Sequence, residues 1–205
     1  VRIEYGVKVD RMLRSGDRVE GVLCSRGLQT ADAYVLAAGP WSTPLAADIG
    51  IGLPLRPVKG YSLTLDAAGW PGRPQLPVID DSLHAAVCPL GDRLRVAGTA
   101  EFAGFDLALT PSRIDNLFSL VTQLYPGFAP YLDRAAAARW CGLRPMSADG
   151  VGLMGRTRLP NLFLNTGHGQ LGWTIAAGAG QLVADEVAGV RPALDPAPYR
   201  LARFG

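Results

Sequence analysis

The run Leu164-Asn165-Thr166-Gly167-His168-Gly169-Gln170-Leu171-Gly172-Trp173-Thr174 is the part of the sequence whose spacing best suits chemistry. Apolar residues ahead of the glycines predict a strand entering a turn, and the residues from Trp173 on predict a helix leaving it. Three closely spaced glycines let the backbone come near a ligand. The N–H groups and the positive dipole end of the helix would face the turn and stabilise negative charge there. That charge can be a phosphate, a carboxylate or the carbonyl edge of a reduced ring system. Spacing does not choose among these, and the same glycines also suit plain close packing of strand on helix.

Arg144, in Cys141-Gly142-Leu143-Arg144-Pro145-Met146, sits in an extended segment between apolar neighbours. Its planar fork suits a substrate carboxylate, and in an arginine-rich chain it equally suits a surface ion pair. In Lys59-Gly60-Tyr61-Ser62-Leu63-Thr64 a glycine within a strand marks either a ligand's close approach or a bulge. His168 lies at the right turn for a general base, yet a histidine between glycines can simply hydrogen-bond its neighbours. The sequence shows no Ser/His/Asp set, no paired carboxylates and no phosphate-loop lysine motif, so no acid or base is assigned. Cys24, Cys88 and Cys141 are odd in number and form no Cys-x-x-Cys pair, and His84 and His168 are the only histidines. Neither a disulfide framework nor a zinc or multi-histidine metal site is expected.

The elements that must position these residues follow from the patterning. At 205 residues, 48% of them hydrophobic, the chain can bury one large or two small cores. Its net charge of +2 is spread without a like-charge run, which argues against nucleic acid as a partner. A reducing cytoplasm is the default compartment. The stretch Leu159–Ala184 lacks charge but is broken by glycines, Asn161, Asn165, Gln170 and Gln181, a poor membrane span. Short strands are predicted at 2–5, 7–13 and 18–24, with a Ser15-Gly16-Asp17 turn. A strand over 33–38 reads as buried on both faces and ends at Gly39-Pro40. A short helix then follows Trp41, with a capping hydroxyl before Pro44 and Gly50 to close it.

From 53 to 139 the texture becomes proline-punctuated strands at 55–65, 84–89 and 93–102. One helix there has Thr110 as cap and Pro111 in its first position. Its apolar face is Ile114, Leu117, Phe118, Val121, Leu124 and Tyr125, and Pro126-Gly127 ends it. An extended segment at 140–146, a buried strand at 162–166 and a helix from about Trp173 to Ala188, stopped by Gly189, complete the reading.

Ala31-Asp32-Ala33-Tyr34-Val35, Pro57 to Thr64, Gly142 to Met146 and Leu164 to Gly169 with Leu171 to Thr174 together resemble one family, in its order and spacing. It is the D-amino-acid dehydrogenase small subunits, within the D-amino-acid oxidase and glycine oxidase superfamily. The resemblance runs from Val1 to about Asp195. It implies an α+β chain of the α/β flavoprotein kind. Residues 1–53 and 141–205 would form an incomplete FAD-binding domain, and residues 54–140 an antiparallel-sheet substrate domain backed by a helix. Such proteins begin with a strand, a Gly-x-Gly-x-x-Gly turn and a helix that hold the cofactor pyrophosphate. These residues contain no such motif, so an N-terminal dinucleotide-binding segment is expected ahead of Val1.

The resemblance also implies roles. Val9 falls where relatives contact the FAD adenine through the backbone, Ala38, Gly39 and Trp41 where a strand end lies along the cofactor, and Gly155 on the segment that returns to the flavin. Gly167, His168, Gly169, Leu171, Gly172, Trp173 and Thr174 fall where relatives wrap the pyrimidine edge of the ring. Arg144 matches the arginine that grips the substrate carboxylate. Some oxidases add a tyrosine near the position of Ala86, and Tyr61 is its stand-in here. The implied activity is oxidation of a D-amino acid to a 2-oxo acid and ammonia, with electrons passing to a quinone-type acceptor and peripheral attachment to the inner membrane. The alternatives are an oxygen-using glycine or sarcosine oxidase, or a truncated chain that acts only as a binding module.

Overall fold

The structure, a computed structural model, describes residues 1–81 and 85–205. In chain order the elements are strands β1 (Val9–Ser15), β2 (Arg18–Cys24), β3 (Gly27–Gln29) and β4 (Tyr34–Leu36), helix α1 (Ser42–Ala47), strands β5 (Leu55–Asp66), β6 (Val78–Asp80), β7 (Ala85–Leu90) and β8 (Arg93–Glu101), helix α2 (Pro111–Leu124), strands β9 (Ala138–Ser147), β10 (Leu153–Arg156) and β11 (Leu162–Thr166), and helix α3 (Ala176–Ala188). Two compact units form, one from residues 1–56 with 144–205 and the other from 57–143.

In the first unit β1, β2 and β3 make an antiparallel meander. Gly16, at φ +57°, takes the first place of the two-residue loop that joins β1 to β2, as a tight hairpin requires. Asn161 attaches the meander to the core. Its amide nitrogen donates to the Val19 carbonyl at 2.9 Å and its amide oxygen accepts from the Val19 N–H at 2.9 Å. A second sheet has the order β10-β11-β4, antiparallel between β10 and β11 and parallel between β11 and β4. Met12, Tyr34, Leu36, Ile49, Leu153, Leu162 and Leu164 pack together around it. Each such side chain, taken out of water, contributes roughly 1.5–3 kcal/mol.

Several expectations are corrected here. Residues 2–5 form no strand; Ile3 and Tyr5 are exposed, with no sheet face to bury them. The strand expected over 33–38 shrinks to β4, and it is not buried on both faces. Val35 is 47% exposed, and among the described residues β4 pairs with β11 alone. Neither Ser42 nor Thr110 caps its helix; each hydroxyl bonds to another side chain instead. Helix α3 starts at Ala176, not near Trp173, because a 3₁₀ turn at Gly169–Leu171 and further turns lie between. Gly189 closes it in the left-handed conformation, φ +70°, as expected of that position.

The second unit is a five-stranded sheet of order β6-β7-β8-β5-β9 with α2 packed on it. Ile114, Leu117, Phe118 and Val121 of α2 meet Tyr61, Leu63, Leu65, Val87, Leu94 and Val96. The expected strand start at His84 lies outside the described residues. The Gly60 irregularity proves to be a bulge with its extra residue on the opposite strand: Lys59 pairs with Glu101 but Tyr61 with Gly98, so Thr99 and Ala100 face Gly60 alone. Thr99 takes φ +68° there, a strained value for a β-branched residue.

Candidate active site

Several of the predicted site residues of the first unit gather at the end of the parallel pair β4 and β11. Thr166, the last residue of β11, donates from its hydroxyl to the Gly39 carbonyl at 3.1 Å and accepts from the Ser42 hydroxyl at 3.1 Å. Ala38, Gly39 and Trp41 are thereby tied to the start of the Gly167 loop. Clefts beyond the carboxyl ends of parallel strands are where α/β folds bind their ligands.

The loop is built on contacts that only glycine permits. Gly167 takes φ +78°, and a Cβ there would lie 2.8 Å from a Leu55 methyl. Gly169 takes φ +55°, with its Cβ position 2.7 Å from the Met146 sulfur. Met146 also forms an isolated antiparallel bridge with His168. Arg144 lies two residues earlier on the same strand, β9. The strand that carries the carboxylate-binding candidate is therefore bonded to the glycine loop.

Arg144 is half-buried, and burial lowers the pKa of its guanidinium. An arginine so placed keeps its charge and binds a carboxylate more strongly than it would in water. The His168 Nε2 lies 2.8 Å from Asn165 Oδ1. Among the described residues its Nδ1 is buried without a hydrogen-bond partner, and burial lowers the ring's pKa, which favours the neutral imidazole. Beyond it Leu171 is 52%, Trp41 51% and Trp173 94% exposed, an uncovered apolar surface beside a backbone-rich turn. Leu171, Gly172, Trp173 and Thr174 follow in the turns ahead of α3.

Other predicted residues stand elsewhere. Gly155 is buried in β10 and paired with Leu164, and its φ is +94°. Its missing side chain makes room for Glu186, which accepts from the Arg156 N–H at 2.7 Å and pairs with Arg200. That is a packing duty against α3. Val9 begins β1, in the meander, at the edge of an open hollow of about 520 Å³ that Val7, Val22 and Cys24 also line.

Tyr61 belongs to the second unit, where its ring is 1% exposed. Its hydroxyl donates to Glu101 at 2.5 Å and lies 2.9 Å from the Thr110 hydroxyl. The hydroxyl proposed as a substrate contact is thus buried and engaged within its own unit. Lys59, also buried, donates to Asp106 and to the Ala108 carbonyl, both at 2.9 Å. The Asp106 hydrogen bond is the main reason its pKa lies above the ordinary lysine value.

Sequence reasoning passed over Gly152, Met146 and the Ser42–Thr166 pair. A Cβ on Gly152 would collide with the His168 ring, and the only signal of it was a Gly-Val-Gly run ahead of a strand. Among the described residues no helix is long and apolar enough to cross a membrane, and no group of three metal-binding side chains occurs.

Comparison with known proteins shows the family. The family described as FAD dependent oxidoreductase matches residues 1–186. The chain is 44% identical over 204 residues to a D-amino acid dehydrogenase of Bradyrhizobium diazoefficiens and 45% identical over 204 residues to one of Chromohalobacter salexigens. The alignments take in 100% of this chain and 48% of each relative, so the chain spans about half the length of the curated relatives it matches. Among solved structures, glycine oxidase of Geobacillus kaustophilus superposes with a TM-score of 0.84 at 27% identity, over 96% of this chain and 52% of that one. Iminodiacetate oxidase of Chelativorans does so at 0.78 and 25%, over 97% and 53%.

Proposed function

Because the chain belongs to the FAD-dependent oxidoreductases, we propose that it forms the substrate and flavin-ring half of a D-amino-acid dehydrogenase. The observation that carries this reading is the bridge between Met146 and His168, which binds the strand bearing Arg144 to the glycine loop. A cationic fork for a carboxylate and a glycine-lined turn for a flat ring then stand on adjoining backbone. The residues fit the ring end of FAD. The loop has no side chains at 167 and 169 to obstruct a close approach, and Trp41 and Leu171 leave apolar surface open for a heterocycle.

FAD, when bound, supplies the acceptor for the two electrons of the substrate's α-carbon to hydrogen bond. The protein's share is orientation and electrostatics. Arg144 holds the α-carboxylate and so fixes which face of the α-carbon is presented. Backbone N–H groups of the turn and the start of α3 stabilise negative charge that develops on the ring's pyrimidine edge. His168, neutral and bonded to Asn165, shapes the loop and moves no proton. The imine product is hydrolysed to a 2-oxo acid and ammonia. A quinone-type acceptor and attachment to the inner membrane surface complete the proposal and rest on the family resemblance.

Arg144→Ala tests it. Loss of a charge-assisted carboxylate contact worth about 2–3 kcal/mol raises the KM for D-alanine by about 30- to 150-fold. An unchanged KM removes Arg144 from the substrate site. The likeness to glycine oxidase favours a second reading, an enzyme that passes its electrons to oxygen. Stoichiometric peroxide with glycine or sarcosine, and no reduction of a quinone analogue, would select it.

A further inference from the structure

A short segment after α3 reaches back to the turn at residues 149–152. Its 3₁₀ turn at Leu201–Phe204 carries Arg203, whose side chain is 15% exposed. The Arg203 Nε donates to Asp149 Oδ2 at 2.8 Å and Nη2 to Asp149 Oδ1 at 3.0 Å, a two-pronged grip on one carboxylate. Nη2 also donates to the Val151 carbonyl at 2.7 Å and Nη1 to the Gly152 carbonyl at 3.3 Å. Asp149 in turn accepts from the Val151 N–H at 3.0 Å, which closes the turn on itself. One guanidinium therefore fixes the whole 149–152 turn.

That turn is the floor under His168, whose ring fills the space a Gly152 side chain would occupy. His168 is bridged to Met146 and flanked by Gly167 and Gly169. The turn's own bonds are few, Gly150 N–H to the Ser147 carbonyl at 3.3 Å and Val151 N–H to Asp149, and its two glycines, Gly150 at φ +78°, add no side chains to brace it. We infer that Arg203 is a positioning residue for the flavin-ring loop, acting through Asp149 and Gly152 on His168. It touches neither substrate nor ring, and what the loop binds rests on the proposed function above. Arg200 anchors the segment through the buried Glu186 of α3, and its carbonyl accepts from Arg203 Nη1 at 3.2 Å.

The test is amide hydrogen exchange on the holoprotein, wild type against Arg203→Ala and Arg203→Lys. With Arg203→Ala, protection at Gly152 and at Gly167 to Gly169 falls about tenfold, as expected for local opening, while β11 (Leu162–Thr166) keeps its protection. Lysine can pair with Asp149 but cannot also span both carbonyls, so Arg203→Lys recovers only part of the loss. The flavin absorption band of the Ala variant shifts. Its kcat with D-alanine falls about tenfold and its KM stays within about twofold, because the loop is displaced and Arg144 is not. Equal loss of protection in β11, or an unchanged loop, overturns the inference. If wild type does not oxidise D-alanine, the functional reading fails and the exchange pattern still decides the positioning role.

Discussion

Replacing Gly152 with alanine puts a methyl group where the His168 ring already lies. A Cβ built at this position falls 2.7 Å from Cε1 and closer still to Nδ1, where real carbon contacts stop near 3.0 Å. Gly152 is outside the left-handed region, so alanine meets no backbone strain and the contact alone sets the cost. The ring has little room to move, since Asn165 holds Nε2 at 2.8 Å and Met146 pairs with the His168 backbone. Overpacking of this kind costs about 1–3 kcal/mol, and losing the Asn165 bond adds about 1 kcal/mol. The expected loss is about 2–4 kcal/mol, or a fall in Tm of roughly 5–15 °C for a chain of this size. With His168→Ala the slot is empty, and the same change should be neutral or stabilising by up to about 1 kcal/mol through the unfolded chain. Urea unfolding of the four proteins of this double-mutant cycle measures the coupling directly. A coupling under about 0.5 kcal/mol would mean that the ring does not rest on Gly152.

Gly155→Ala combines a φ of +94° with displacement of the buried Glu186 carboxylate. It should cost about 2–4 kcal/mol, read as a lower urea midpoint with or without FAD; a loss seen only with FAD would give Gly155 to the cofactor. Thr99→Gly relieves a left-handed β-branched residue and should stabilise by about 1 kcal/mol, read from the same transition. Asp149, Glu101 and Asp106 have pKa values held below the ordinary carboxylate range, Asp149 and Glu101 chiefly by the hydrogen bonds of Arg203 and Tyr61, and Asp106 by the Ala108 N–H and Lys59. Their stabilisation is present above the ordinary values and lost as pH falls through the lowered ones. Lys59, raised, contributes below its ordinary 10.5 and loses that as pH rises through its folded value. The urea midpoint should therefore hold level between about pH 5 and 9 and drop on both sides, the acid drop becoming shallower in Asp149→Asn.

What the sequence revealed was mostly local. Helix α2 was legible because Pro111 can only begin a helix and Ile114, Leu117, Phe118 and Val121 recur at its period. The strand at 162–166 was legible because its apolar run is bounded by a proline ahead of it and a glycine behind. The strand expected at 2–5 failed because alternation describes a strand's faces and not its partner. The 60–61 irregularity was assigned to the visible glycine, while the extra residue stands on the opposite strand at Thr99, a matter of register between distant segments. Thr110 and Ser42 have the right side chains for caps, yet Tyr61 and Thr166, remote in sequence, engage them. In the site, Arg144 and the Gly167 loop were visible as types and spacing. Gly152 and Arg203 were not, since each acts through a neighbour that only folding brings near.

The Asn161 contact divides the tolerance to change unequally between its two partners. One side chain supplies both a donor and an acceptor to Val19, and what it reads at Val19 is main chain. At position 161 aspartate forfeits the donor, and glutamine carries the amide too far. At position 19 only proline removes a group the contact uses, though the buried setting still asks for an apolar residue. The surface of the meander can therefore drift through many sequences while its attachment stays fixed. A lineage that altered Asn161 would still have the ties of Met12 to Asp48 and of Arg14 to Ile49, both on the other strand of the hairpin.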